Sequence, residues 1–320
     1  MQRSIGENNH MMPGSKRTPL ILLFFAAALP VFLLGSCASA PERLTPEGWV
    51  DLLPGGTDVI VKADVNRTGP LAESLLALFL PGEEQAKNRN ILVERTETLY
   101  AGIEMNPLEP PRLNAVALGR YPKSAVTGGL GRDPRWVRTK YTVDWWSNLD
   151  TGMELSIPKP GLILVSQGHV AGMIDASLRG HGQDRLIREI EEEFKVSDLV
   201  AYIPEPAAIL AEKLPIDPKK FPLRSMWFTA MRLEGEFKIY GVFATMEEKS
   251  AHKLAAVAKL LIVGWMRSNG LLDISSLREN LDVTADGEYV RISGLFLDDE
   301  EMLRLILGLA SGEGAVRESM

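Results

Sequence analysis

The sequence predicts an α+β fold built as two similar halves, each with helices packed on a mainly antiparallel sheet. Three observations carry that expectation. Alternating apolar runs are joined by the tight-turn signals Pro158-Lys159-Pro160-Gly161, Glu234-Gly235-Glu236 and Asp286-Gly287, and strands joined by a tight turn must run antiparallel. Between those runs lie segments with helical apolar spacing and recognisable start signals. Late in the chain the order begins again, with Ser197-Asp198-Leu199-Val200 echoing Thr57-Asp58-Val59-Ile60.

Taken in order, Thr45 and Pro46 read as an N-cap and first-turn proline of a short helix that stops at Pro54-Gly55-Gly56. Asp58 to Val65 is rich in β-formers, and Thr68-Gly69-Pro70 opens an apolar helix that runs from Leu71 to Leu80 and ends at Pro81-Gly82. Gln85 to Met105 is expected as an amphipathic helix and Leu113 to Tyr121 as a buried strand. Trp136 to Trp146 alternates and reads as one strand; Met153 to Ile157 and Leu162 to Ser166 flank the Pro158 turn. A short helix from His169 to Ser177 closes the section, and Asp184 to Lys195 is amphipathic. In the second half, Pro206 leads into a helix from Ala207 to Leu214, and Met226 to Leu233 with Phe237 to Ala244 form a hairpin. Thr245 with Glu248, and later Asp298 with Glu301, have the spacing of capping boxes. The long helix after Thr245 places Leu254, Ala258, Leu261, Ile262 and Trp265 on one face. The resulting division is 1–36, 37–44 as a tether, 45–180 as the first half, 181–196 as a connecting helix, 197–310 as the second half and 311–320 as a disordered tail.

The N-terminus supplies an address. Lys16 and Arg17 precede an apolar run from Leu20 to Leu34, followed by Gly35, Ser36 and Cys37. At roughly 15 residues the run is short of the ~20 that span a bilayer, and Pro30 interrupts it. A charged start, a short apolar core and small residues make a secretory signal. Leu34-Gly35-Ser36-Cys37 resembles the lipobox of bacterial lipoproteins. The resemblance implies lipid attachment to the Cys37 thiol and cleavage before it, leaving a body held to a membrane of the bacterial envelope and facing the periplasm or cell exterior. Met11 and Met12 offer alternative translation starts. The body itself faintly resembles duplicated α+β domains of uncharacterised exported bacterial proteins, which transfers no functional residue.

Cleavage at that point leaves 284 residues and moves the formal charge from −7 to −9. Such an acidic body, with no broad basic stripe, argues against nucleic acid as a partner. Cys37 is the only cysteine, so the fold must hold by burial without a disulfide.

Catalytic signatures are sparse. Phosphate-loop, zinc-helix and nucleophile-elbow patterns are absent from the sequence. Ser250-Ala251-His252-Lys253 resembles the Ser-x-x-Lys of penicillin-binding proteins and β-lactamases, but no Lys-Thr-Gly partner accompanies it. Ser166, His169 and Asp175 have the residue types of a triad, although Ser166 also suits a helix cap. Glu191-Glu192-Glu193 reads as a solvated helix face, and no pair of the histidines His169, His181 and His252 has metal-ligand spacing. No metal or cofactor is expected.

What remains is an aromatic and basic stretch. On a single strand from Trp136 to Trp146, the odd positions Val137, Tyr141, Val143 and Trp145 would face the core. The even face would then show Trp136, Arg138, Lys140, Asp144 and Trp146 to solvent, and tryptophan beside guanidinium groups suits sugars, peptides or anionic headgroups. The expectation is therefore a non-enzymatic, lipid-anchored envelope protein whose surface meets another envelope protein or polymer. A solute-binding lipoprotein of a transporter and a Ser-dependent cell-wall hydrolase are the alternatives.

Overall fold

The chain is described by a computed structural model. The structure describes residues 46–79, 93–105, 112–179, 188–207, 222–268 and 280–304, with single positions at 86, 90, 91 and 186. Its strands are β1 (Val59–Asp64), β2 (Thr96–Glu104), β3 (Arg112–Gly119), β4 (Trp136–Thr139), β5 (Trp145–Asn148), β6 (Glu154–Ser156), β7 (Leu162–Ser166), β8 (Leu199–Ile203), β9 (Leu223–Leu233), β10 (Glu236–Thr245), β11 (Asp282–Asp286) and β12 (Tyr289–Leu297). They form one 12-stranded sheet in the order β11-β12-β10-β9-β8-β1-β2-β3-β7-β6-β5-β4. Every neighbouring pair is antiparallel. The helices are α1 (Pro46–Val50), α2 (Val65–Phe79), α3 (Lys123–Leu130), α4 (Val170–Arg179), α5 (Arg188–Val196) and α6 (Glu248–Ser268).

Helices lie on both faces because both faces of the sheet are apolar. On one face Ile60, Tyr100, Val116, Leu164, Tyr202 and Trp227 are buried with Trp49 from α1, Met173 from α4 and Phe194 from α5. On the other, Ala115, Ile163, Val165, Leu155, Trp136 and Trp146 pack with Val126 and Leu130 from α3. That second face continues across the sheet, where Phe237, Ile239 and Ile292 meet Leu71 from α2, and Leu223 and Val290 meet Leu254 from α6. Each fully buried Leu, Ile or Phe contributes about 1.5–3 kcal/mol, so these two layers dominate the stability of the body.

At the centre, β1 pairs with β8 and sets Val61 opposite Ala201. The local geometry on the two sides of this joint is the same. The Asp58 N–H donates to Ile103 O at 2.9 Å, and its Oδ2 accepts the Met105 N–H at 2.6 Å. The Asp198 N–H donates to Ala230 O at 3.0 Å, and its Oδ2 accepts the Arg232 N–H at 2.6 Å. Reading outward from the joint, the strand orders β1-β2-β3-β7-β6 and β8-β9-β10-β12-β11 follow one scheme, and β5 and β4 extend the first side. Asp198 also pairs with Arg67 at 2.9 Å, and the buried Lys62 Nζ donates to Ser197 O at 2.5 Å. Burial holds the Lys62 ammonium below its ordinary pKa, against the upward pull of Asp64 and Asp198.

Four expectations are corrected. A single continuous sheet spans what the sequence divides into two. Residues 96–104, expected as the end of a helix, form β2, because Thr98, Leu99 and Tyr100 sit between β1 and β3 and pair with both. The stretch from Trp136 to Trp146 is broken by a turn into β4 and β5. Thr245 does not cap α6: its hydroxyl donates to Glu247 O at 2.8 Å and Glu288 O at 2.9 Å, which fastens the end of β10 instead. Asp298 and Glu301 do form a reciprocal box, at 2.8 and 3.0 Å. The lipobox and Cys37, the tether, the 207–214 helix beyond its first residue, and the tail lie outside the described residues.

Candidate interaction surface

β4 and β5 form a hairpin at the end of the sheet, pairing Trp136 with Asn148, Val137 with Ser147, Arg138 with Trp146 and Thr139 with Trp145. Directly opposed residues share a face, so Trp136, Arg138 and Trp146 stand on one side as the alternation implies. That side is the buried one. Trp136 and Trp146 are each 5% exposed, packed with Tyr121, Leu130 and Leu155. The expected solvent-facing tryptophans are therefore core residues, because α3 folds back over their face and two indoles offer more area to bury than Val137 and Thr139. Arg138 and Lys140 are exposed, as expected. Arg138 lies at the rim of this cluster, its guanidinium 5.9 Å from the Trp146 ring centroid. It also grips Asp144, through Nε at 2.7 Å and through a terminal nitrogen, and that bond holds the Asp144 carboxyl below its usual range.

The opposite side of the hairpin is open. Val137 is 47% and Tyr141 43% exposed, and Leu178 on α4 is also exposed. Val143 and Trp145 are half-buried against the first core cluster. Tyr141 meets Trp145 edge to face, with centroids 5.3 Å apart, and its hydroxyl donates to the Asp175 carboxylate at 3.0 and 3.1 Å. That bond to an anion raises the Tyr141 pKa. Arg135 is chelated by Asp133, whereas Arg132 and Lys140 have no ion pair among the described residues. The open side thus carries aliphatic Val137 and aromatic Tyr141, the latter tied to Asp175, with Arg132 and Lys140 near them in sequence. Sequence reading missed Val137 and Tyr141 because the sign of an alternating pattern depends on where a helix 6 to 13 residues upstream comes to rest.

The catalytic sets do not assemble. Ser166 Oγ accepts the His169 N–H at 2.8 Å, in the manner of a cap before α4, and donates to Asn114 at 2.6 Å. Asn114 donates to Glu104 at 2.9 Å, and Glu104 lies 3.4 Å from His169 Nε2, while Asp175 is engaged with Tyr141. No hydrogen bond joins Ser250, which is buried, to Lys253, which is exposed. The glutamate run is engaged locally: Glu192 pairs with Lys195 at 2.9 Å and Glu193 accepts from Ser197 at 3.0 Å. Among the described residues no group of His, Cys, Asp or Glu has the arrangement of a metal site, and no helix is long and apolar enough to cross a membrane.

No protein-family model and no curated protein matches this chain. Solved structures do. Crystal form III of TP0453 matches with a TM-score of 0.59 and 16% identity, over 84% of this chain and 99% of that one. Crystal form IV matches at 0.58 and 16%, over 84% and 97%, and crystal form I at 0.57 and 15%, over 84% and 100%. The chain has the fold seen in TP0453. At this level of identity the likeness concerns backbone architecture, and it spans nearly the whole of the other protein.

Proposed function

We propose that this chain is a non-enzymatic, lipid-anchored protein of the bacterial cell envelope that presents the open side of the β4–β5 hairpin to another envelope component. The observation that carries the reading is the exposed pair Val137 and Tyr141 on the open side of the terminal hairpin, near Arg132 and Lys140, which have no ion pair among the described residues. The anchor rests on the lipobox resemblance at Leu34-Gly35-Ser36-Cys37, with the apolar run before it. A solute-binding lipoprotein needs two α/β lobes with parallel strands around a cleft, and the described sheet is antiparallel throughout. The hydrolase alternative has no support from hydrogen bonds among the described residues: Ser166 meets the His169 backbone N–H and the Asn114 side chain, and none joins Ser250 to Lys253.

We further infer that the two sides of the sheet are an internal duplication about the Val61 and Ala201 pair. The matched hydrogen bonds of Asp58 and Asp198 and the shared strand order support it.

The test of the anchor is direct. Cys37→Ala should abolish fatty-acid labelling and release the body into the soluble fraction, since several acyl chains at ~0.8 kcal/mol per buried methylene supply the attachment. A variant that stays with the membrane after a carbonate wash overturns the anchored reading.

A further inference from the structure

Resting on the reading of the hairpin as the interaction surface, we infer that the outer edge of β4 accepts an added strand from an extended, acidic segment of a protein partner. β4 is the last strand of the sheet, and no strand pairs with its outer edge among the described residues. The Leu149 N–H donates to Arg135 O, which sets the phase of the ladder. With a period of two, Val137 and Thr139 bond toward β5 and the backbone N–H and C=O of Arg138 point outward.

The two ends of the sheet differ in chemistry. β11 carries Asp282 and Asp286 on exposed positions, while Val283 and Ala285 pack toward α6, which is how a sheet edge is guarded against pairing. β4 presents exposed Val137 on the side where Tyr141 packs against Trp145, and among the described residues α4 reaches that side through Asp175, which accepts the Tyr141 hydroxyl. Nearby, Arg135 is paired with Asp133, Arg138 with Asp144, and the Asp175 carboxylate with the Tyr141 hydroxyl, which leaves Arg132 and Lys140 as the cations with no ion pair among the described residues. Such an edge selects a segment that alternates acidic and apolar residues: the backbone completes the ladder, the apolar side chains lie over Val137 and Tyr141, and the carboxylates meet Lys140 and Arg132. A second copy pairing through the same edge would bring like charges together across the new ladder. An anionic glycan could meet the charges but has no peptide groups for Arg138.

The probe is a dye-labelled, capped six-residue peptide of alternating Val and Glu, titrated against the detergent-extracted chain and followed by fluorescence anisotropy. Binding is expected to weaken at least tenfold at high salt and at least tenfold in the Arg138→Glu, Lys140→Glu variant. It is also expected to weaken at least tenfold when alternate peptide nitrogens are methylated, which removes the ladder donors without touching the protein. Equal binding of the methylated peptide overturns strand addition, as does no binding of the parent, or displacement of the parent by an acidic oligosaccharide. Those outcomes leave the hairpin face standing as a surface, because its own test reads contact at Tyr141 in cells.

Discussion

Trp146 and Val137 stand one strand apart on opposite sides of the hairpin, and the account assigns them opposite fates. Trp146→Ala should cost about 3–5 kcal/mol, the range for an aromatic lost from a packed core. Val137→Thr should stay within about 0.5 kcal/mol. Urea denaturation midpoints of the two variants check this, and equal losses would mean that both sides are buried. The grouping of Trp136, Arg138 and Trp146 was legible in the sequence because parity survives the turn; which side is buried was not, since it depends on α3. Gly294 could not be singled out at all. Its φ is 82°, and a Cβ there would sit 1.7 Å from Asn280 O, a close approach that no local pattern announces. Gly294→Ala should therefore cost at least about 1–3 kcal/mol by thermal unfolding. Lys62 gives a pH signature. Its folded pKa lies below the unfolded value, so between the two the unfolded state binds more protons and this group's contribution to stability rises with pH. Relative to Lys62→Met, the wild type should gain stability as pH climbs from neutrality toward 10, and a constant difference would place the ammonium in solvent.

Elements were legible where local chemistry agrees with tertiary packing. The β9–β10 turn holds Glu234 at φ 51° and Gly235 at φ 97°, the left-handed pair that a two-residue hairpin needs, and Glu-Gly-Glu between alternating runs signalled it. β2 was misread because Leu99, Ile103 and their neighbours fit both periods, and only pairing with β1 and β3 decides between them. Thr245 and Asp298 show the same ambiguity among caps: identical spacing, but Thr245 is consumed by the end of a strand. The helix face after Thr245 was read correctly at Leu254 and Ala258, both buried, while the Leu261 and Trp265 side chains lie outside the described residues. Leu254→Ala should cost on the order of 2–5 kcal/mol, and an unchanged denaturation midpoint would detach α6 from the sheet.

At the scale of the whole molecule, one sheet crosses the joint, and this was the part furthest from sequence reach. The echo of Asp58 in Asp198 is visible as letters, but the pairing of β1 with β8 that merges two sheets into one is non-local. If the halves share a core through that pairing, separately produced chains 45–196 and 197–310 should co-purify when expressed together, and stable isolated halves would contradict it. The central claim, that an anchored body offers the outer side of the hairpin to an envelope partner, is tested most directly by photo-crosslinking in living cells from an amino acid placed at Tyr141. A discrete adduct that forms from position 141, fails to form from the buried position 146, and disappears with Cys37→Ala is the predicted result. Absence of an adduct at 141, or one that persists unchanged when Cys37 is replaced, would contradict the account.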